Sequence, residues 1–128
     1  MIVKTLDEII DTDRDIKAST GTWVSRRFLL KSEGMGFSLH ETTIFAGTKT
    51  LIWYKHHLEA VYCVGGSGSL EVVDTGERYE IKDGTMYALD KHERHYLSAN
   101  EDMRLICVFN PPLRGDEDHD EDGVYKLD

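Results

Sequence analysis

Nine short β-rich runs follow one another from Thr22 to Phe109 with no helical pattern between them, and this constrains the fold more than any other feature. They fall at 22–31, 36–45, 50–55, 60–65, 68–73, 77–81, 85–89, 94–99 and 103–109. Turn signals separate them: Glu33-Gly34, Ala46-Gly47, Gly65-Gly66, Asp74-Thr75-Gly76, Asp83-Gly84 and Asn100-Glu101-Asp102. Glycine and Asn/Asp clusters reverse the chain, while β-branched and aromatic residues fill a pleated surface. Eight or nine strands at this spacing predict an all-β sandwich or barrel. Ahead of them, residues 6–17 predict a short helix capped by Thr5 with Glu8 three residues on. Asn110-Pro111-Pro112 ends the last strand, because proline cannot donate to a ladder. The chain of 128 residues reads as one domain, 1–128, whose tail 113–128 is either a mobile acidic end or a flap folded back over the barrel mouth.

Composition excludes several classes. The net charge of −9 opposes nucleic acid, which needs clustered Lys and Arg. No apolar run reaches the roughly 18 residues of a membrane span. MIVKTLDEIIDTDRD has no apolar signal region, so a cytoplasmic location is expected. Cys63 and Cys107 lie in the apolar runs VYCV and LICVF and are expected as buried thiols rather than a disulfide.

Between Gly47 and His95 the spacing is that of a small double-stranded β-barrel of the cupin type, with Trp53-Tyr54-Lys55 where His-x-His is usual. Glu59 and His95 remain of the usual ligands. Glu59 sits in the apolar run HLEAVYCV, where a carboxylate is costly unless paired or metal-bound. Tyr87 and His95 lie in two runs joined by the turn Asp90 to Glu93, and a hairpin-like return brings both near Glu59. Carboxylate, phenolate and imidazole suit a borderline divalent metal, iron or zinc first. A buried Tyr-His-Glu hydrogen-bond network explains the same residues. Trp23, Ser25 and Arg27 alternate onto one strand face, where indole, hydroxyl and guanidinium suit a small carboxylate-bearing ligand; an exposed Arg beside a packed Trp fits equally. Gly65-Gly66-Ser67-Gly68 reads as a hairpin turn rather than a phosphate loop, since no helix follows it.

GTWVSRR, AGTKTLIWYKHHLEAVYCV, DGTMYALDKHERHYL, LICVFNPPL and HDEDGVY together resemble the ectoine synthases, cupin-fold enzymes of compatible-solute biosynthesis. The resemblance runs from Met1 to Tyr125. It implies a hydro-lyase that cyclises N-γ-acetyl-L-2,4-diaminobutyrate to L-ectoine under osmotic stress. It also implies iron(II) on Glu59, Tyr87 and His95, with zinc or cobalt as substitutes, and a homodimer packed through strands. Substrate-pocket positions fall on Trp23, Ser25, Arg27, His40, Thr42, His57, Cys107 and Phe109, and acid–base candidates on Tyr54, Glu117 and His119. Arg27 is the expected carboxylate clamp, with Ser25 and Thr42 beside it. Family members often carry His where Leu51 stands. A non-catalytic cupin that binds a small zwitterion, and a cupin iron oxygenase, are the competing readings.

Overall fold

The computed structural model describes residues 1–127. Helix α1 covers Leu6–Ile9, and ten strands follow among the described residues: β1 Asp15–Lys17, β2 Trp23–Leu29, β3 Ser38–Ile44, β4 Lys49–Ile52, β5 Leu58–Gly65, β6 Ser67–Val72, β7 Arg78–Lys82, β8 Met86–Leu89, β9 His95–Ala99 and β10 Met103–Asn110. The nine expected runs are all strands, each trimmed or shifted by a few residues at its ends.

The helix is shorter than expected. Glu8 reaches back to the Thr5 amide at 3.2 Å, as the capping pattern requires. Asp11 then adopts a left-handed φ of 62° and its amide donates to the Asp15 carboxylate at 2.9 Å. Asp and Thr side chains compete for local backbone groups in this way and stop helices. The residues from Asp15 to Lys17, expected at the helix end, instead pair antiparallel with β2, Ile16 opposite Ser25.

Two antiparallel sheets face each other, in orders β1-β2-β3-β10-β5-β8 and β4-β9-β6-β7. This is the all-β double-stranded barrel expected. Along β5 burial alternates, with Glu59, Val61 and Cys63 inside and Leu58, Ala60, Tyr62 and Val64 outside. Along β10, Met103, Leu105, Cys107 and Phe109 point inward. Each fully buried aliphatic side chain contributes roughly 1.5–3 kcal/mol, so the shared inner face holds the sheets together. Both cysteines are buried and free, as expected.

Two connections differ from hairpins. β5 and β6 belong to different sheets, so Gly65-Gly66 carries the chain across the barrel edge. Gly66 has a φ of 87° and a Cβ there would collide with the Asp102 carbonyl, which is why glycine is required. β8 pairs with β5 whereas β9 pairs with β4 and β6, so the turn after Leu89 also arches between sheets.

The tail closes one end of the barrel. Leu113 is fully buried, the Trp53 amide donates to the Gly123 carbonyl at 2.7 Å, and the Ser19 amide donates to the Asp118 carboxylate at 2.9 Å. Of the two expectations for residues after Leu113, the folded-back flap is the one observed.

Candidate active site

The antiparallel register sets a contiguous row of side chains on the inner face of the larger sheet. Ser25 lies opposite Thr42, Arg27 opposite His40, Cys107 opposite His40, and Phe109 opposite Glu59. The smaller sheet supplies Ile52 and Leu97, the loop after β4 supplies Tyr54, and the tail supplies His119 and Tyr125. Together they enclose a cavity of about 30 Å³, lined also by Trp23, Glu59 and Tyr87. Of the residues expected at the site, Trp23, Ser25, His40, Thr42, Tyr54, Glu59, Tyr87, Cys107, Phe109 and His119 line this space.

Glu59, Tyr87 and His95 are brought to one side of the barrel. Tyr87 stands on β8 beside Val61 of β5, on the inward face that Glu59 shares. His95 is fully buried on the facing sheet, its ring 6.4 Å from that of Tyr87. Burial pushes the Glu59 carboxyl up to about 8, against a lowering contact with the Cys107 thiol. Burial, and then the neighbouring Glu59, raise the Tyr87 phenol well above its ordinary value. Burial lowers His95. The His95 Nδ1 lies 3.0 Å from the Glu93 carbonyl, and its Nε2 is buried with no partner. With Nδ1–H donating to that carbonyl, Nε2 presents a lone pair, the form in which imidazole binds metals. Among the described residues no three His, Cys, Asp or Glu side chains converge on one point. Glu59, Tyr87 and His95 offer a carboxylate, a phenol and an imidazole, and this donor chemistry fits a divalent metal.

Four expected positions, Arg27, His57, His95 and Glu117, do not line this cavity. Arg27 has no exposed surface and does not line the cavity. Its Nη1 donates to the Gly115 carbonyl at 2.9 Å, its Nη2 to the Glu117 carbonyl at 2.7 Å, and its Nε to Ser25 Oγ at 3.3 Å. The guanidinium expected to clamp a substrate carboxylate makes its contacts here with carbonyls of the tail. Glu117, expected as an acid or base, accepts from the Arg114 and Gly115 amides at 2.7 and 2.8 Å and lies 3.6 Å from Arg27. Its carboxylate closes a turn of the tail and is not among the cavity-lining groups. His57 is buried behind Phe109, edge-on at 6.0 Å, and stays off the cavity wall.

His119 does reach the cavity. Its Nε2 is 2.9 Å from the Tyr54 hydroxyl, and its ring packs edge-on to Trp23 at 5.2 Å. Burial lowers it to about 4, which keeps the imidazole neutral near pH 7. Burial raises the Tyr54 phenol well above its usual value. Two ring nitrogens beside the cavity are buried without partners, Trp23 Nε1 and His40 Nε2. His40 Nδ1 lies 3.2 Å from Ser25 Oγ, so a Ser25 hydroxyl donating there leaves the proton on Nε2.

Tyr125 is the aromatic lining residue missing from the sequence-based set. It is buried, lines the cavity and touches Tyr54, Phe109 and His119. The signal was the apolar pair Val124-Tyr125 after an otherwise acidic stretch. Leu51, where family members often have His, lies on β4 between buried Thr50 and Ile52 and so faces away from the interior. The departure leaves the pocket lining unchanged.

Comparison with known proteins gives the family. The sequence model of the family described as ectoine synthase matches residues 1–128. L-ectoine synthase of Desulfatibacillum aliphaticivorans is 63% identical over 127 residues, covering 99% of this chain and 98% of that protein. L-ectoine synthase of Wolinella succinogenes is 65% identical, covering 99% of this chain and 97% of that protein. The crystal structure of ectoine synthase from P. lautus superposes with a TM-score of 0.85 at 63% identity, covering 90% of this chain and 81% of that one. The chain belongs to the ectoine synthase family and is an enzyme of the hydro-lyase class.

Proposed function

We propose that this enzyme closes N-γ-acetyl-L-2,4-diaminobutyrate into L-ectoine with loss of one water. The observation that carries the reading is the enclosed aromatic cavity, whose wall holds a Tyr54–His119 pair and unpartnered donors on Trp23 and His40. In the reaction the α-nitrogen attacks the acetamide carbon of the same molecule, a six-membered ring closes, and the acetamide oxygen departs as water. The two hydrogens that leave with that oxygen come from the α-nitrogen, so a group that takes a proton and returns it is required. Tyr54 and His119 are that group: the neutral imidazole accepts through Nε2 and the phenol relays across 2.9 Å.

Trp23 and Phe109 form the apolar wall that keeps the substrate folded and bulk water out. With Arg27 committed to the tail, the substrate carboxylate falls to the N–H groups of Trp23 Nε1 and His40 Nε2, with Ser25 and Thr42 beside them. Glu59, Tyr87 and His95 would hold iron(II), with zinc or cobalt able to substitute. A divalent metal bound there supplies Lewis-acid polarisation of a carbonyl oxygen. Thr42 Oγ1 and Cys107 Sγ, 3.8 Å apart, lie on the cavity wall near Glu59.

The tail acts as a lid. About 30 Å³ holds one or two waters, whereas small-molecule sites span roughly 300–1,000 Å³. Substrate is therefore admitted only when residues 114–127 swing off the barrel, and His119 returns on closure. The working unit is a cytoplasmic homodimer packed through strands, for which the exposed Leu58, Tyr62, Val64 and Met86 on the outer face of β5 and β8 supply apolar surface. Its product serves as a compatible solute under osmotic stress.

The test is anaerobic incubation of the protein with iron(II) and the acetylated diamino acid. The expected product is lighter than substrate by one water. Unchanged substrate, or a product that forms only with oxygen, refutes the proposal.

A further inference from the structure

The proposed reaction leaves one aromatic residue of the cavity wall without a task. Tyr125 is only 4% exposed although it belongs to an acidic surface segment. Its ring lies nearly parallel to His119, 24° between planes and 4.5 Å between centroids. The far face of that assembly is fixed too, since Tyr125 also touches Tyr54 at 4.9 Å and Phe109 at 5.8 Å. The Arg27 guanidinium lies 5.7 Å from the ring centroid.

The tail is shaped to make this stack. Asp120 Oδ1 accepts from the Asp122 and Val124 amides at 2.9 and 3.0 Å, and the Asp120 amide donates to the Val124 carbonyl at 3.0 Å. That closed turn lays Tyr125 back over His119, six residues earlier. A single hydrogen bond from the Tyr54 hydroxyl to His119 Nε2 fixes a distance but leaves the imidazole free to rotate about it. A parallel ring on one face, with the Trp23 edge at 5.2 Å, removes that freedom.

We infer that Tyr125 is a positioning residue, whose ring holds the His119 imidazole in the plane that keeps Nε2 on the Tyr54 hydroxyl. The inference rests on the proton role proposed for Tyr54 and His119. The Tyr125 hydroxyl faces the Tyr54 hydroxyl and lies 3.5 Å from Arg27 Nη2, the limit of a bond, so the positioning is assigned to the ring and the Phe variant separates ring from hydroxyl.

The test uses the full chain with iron(II) and measures kcat and KM for Tyr125→Phe, Tyr125→Leu, His119→Asn and the double variant Tyr125→Leu/His119→Asn. Tyr125→Leu is expected to lower kcat on the order of 100-fold, as misplacing a reacting group does, with a smaller change in KM. Tyr125→Phe keeps the stack and rescues kcat. In the His119→Asn background Tyr125→Leu has little further effect, since residues acting through one another are not additive. Independent losses that multiply in the double variant overturn the inference, as does a Phe variant as slow as Leu. Amide exchange at Trp53, which is bonded to the tail at Gly123, monitors docking. If Tyr125→Leu frees that amide, Tyr125 anchors the tail rather than positioning His119, and the inference fails. A costly His119→Asn with additive Tyr125→Leu refutes only the inference; full turnover by His119→Asn refutes the proton role and the inference with it.

Discussion

Replacing Arg27 with Met tests whether the tail is held from inside the barrel. Met keeps much of the aliphatic stem but has no donor, so packing is largely preserved while the contacts to the Gly115 and Glu117 carbonyls, at 2.9 and 2.7 Å, are removed. Hydrogen bonds made by charged donors contribute roughly 1.5–3 kcal/mol each. The lower end applies here, because both carbonyls regain water when the tail opens. The closed tail should therefore lose about 3 kcal/mol, a shift of roughly 150-fold toward the open form. The reporters are two loop amides bonded to the tail, Trp53 to Gly123 and Ser19 to Asp118. In hydrogen exchange both should speed up by about that factor, while amides in the β3–β10 ladder keep their protection. Arg27→Lys, which restores a single point donor, should fall between the two. If Arg27→Met leaves Trp53 and Ser19 protected as in the wild type, the anchor assignment is wrong. If protection is unchanged and KM alone rises, the original expectation of a substrate clamp is restored.

Other expectations follow from the same geometry. Glu59→Gln, Tyr87→Phe and His95→Ala should each reduce bound iron in metal analysis and lower turnover without unfolding the barrel; a metal-free Glu59 variant with full activity would remove the metal role. Truncation after Leu113 should abolish turnover while far-UV circular dichroism stays that of a β-barrel, because no strand lies beyond Asn110 among the described residues. Gly123→Ala should displace the tail, since the φ is 80° and a Cβ would collide with the Leu51 carbonyl; exchange at Trp53 reads this directly. Glu33 is held down to about 2 by its bidentate contact with Arg14 at 2.7 and 3.0 Å, from an ordinary value of 4.5. A depressed carboxyl stabilises the fold above 4.5 and loses that contribution as pH falls toward 2, so the melting temperature of wild type should drop across this window more than that of Glu33→Gln.

Much of the barrel was legible because β-rich runs alternate with Gly and Asn/Asp turn signals along the sequence. The runs could thus be located within a few residues, whereas the inward face of β5 and β10, which carry apolar residues on both sides, was set by the fold. The element that was misread, Asp15–Lys17, is three residues long and forms no such run; it becomes a strand only because β2 offers an edge. The turns after Gly65 and Leu89 carry hairpin signals, but turn residues mark where a chain bends and not which sheet receives it.

The sequence by itself determined the strand series and, through its resemblance, the ectoine synthase family. These follow from local runs and turn signals and from motifs, which are properties of neighbouring residues. Only the tertiary structure decided what Arg27, Glu117 and Tyr125 do. Arg27 meets the Gly115 and Glu117 carbonyls 88 and 90 residues away, and alternation on β2 cannot reveal that those carbonyls take its donors. Glu117 turns back to amides of its own segment, and Tyr125 is carried onto His119 by a turn that closes only when the tail docks. A side chain's chemistry is written in its type, but the partner that occupies it is chosen by packing across the barrel.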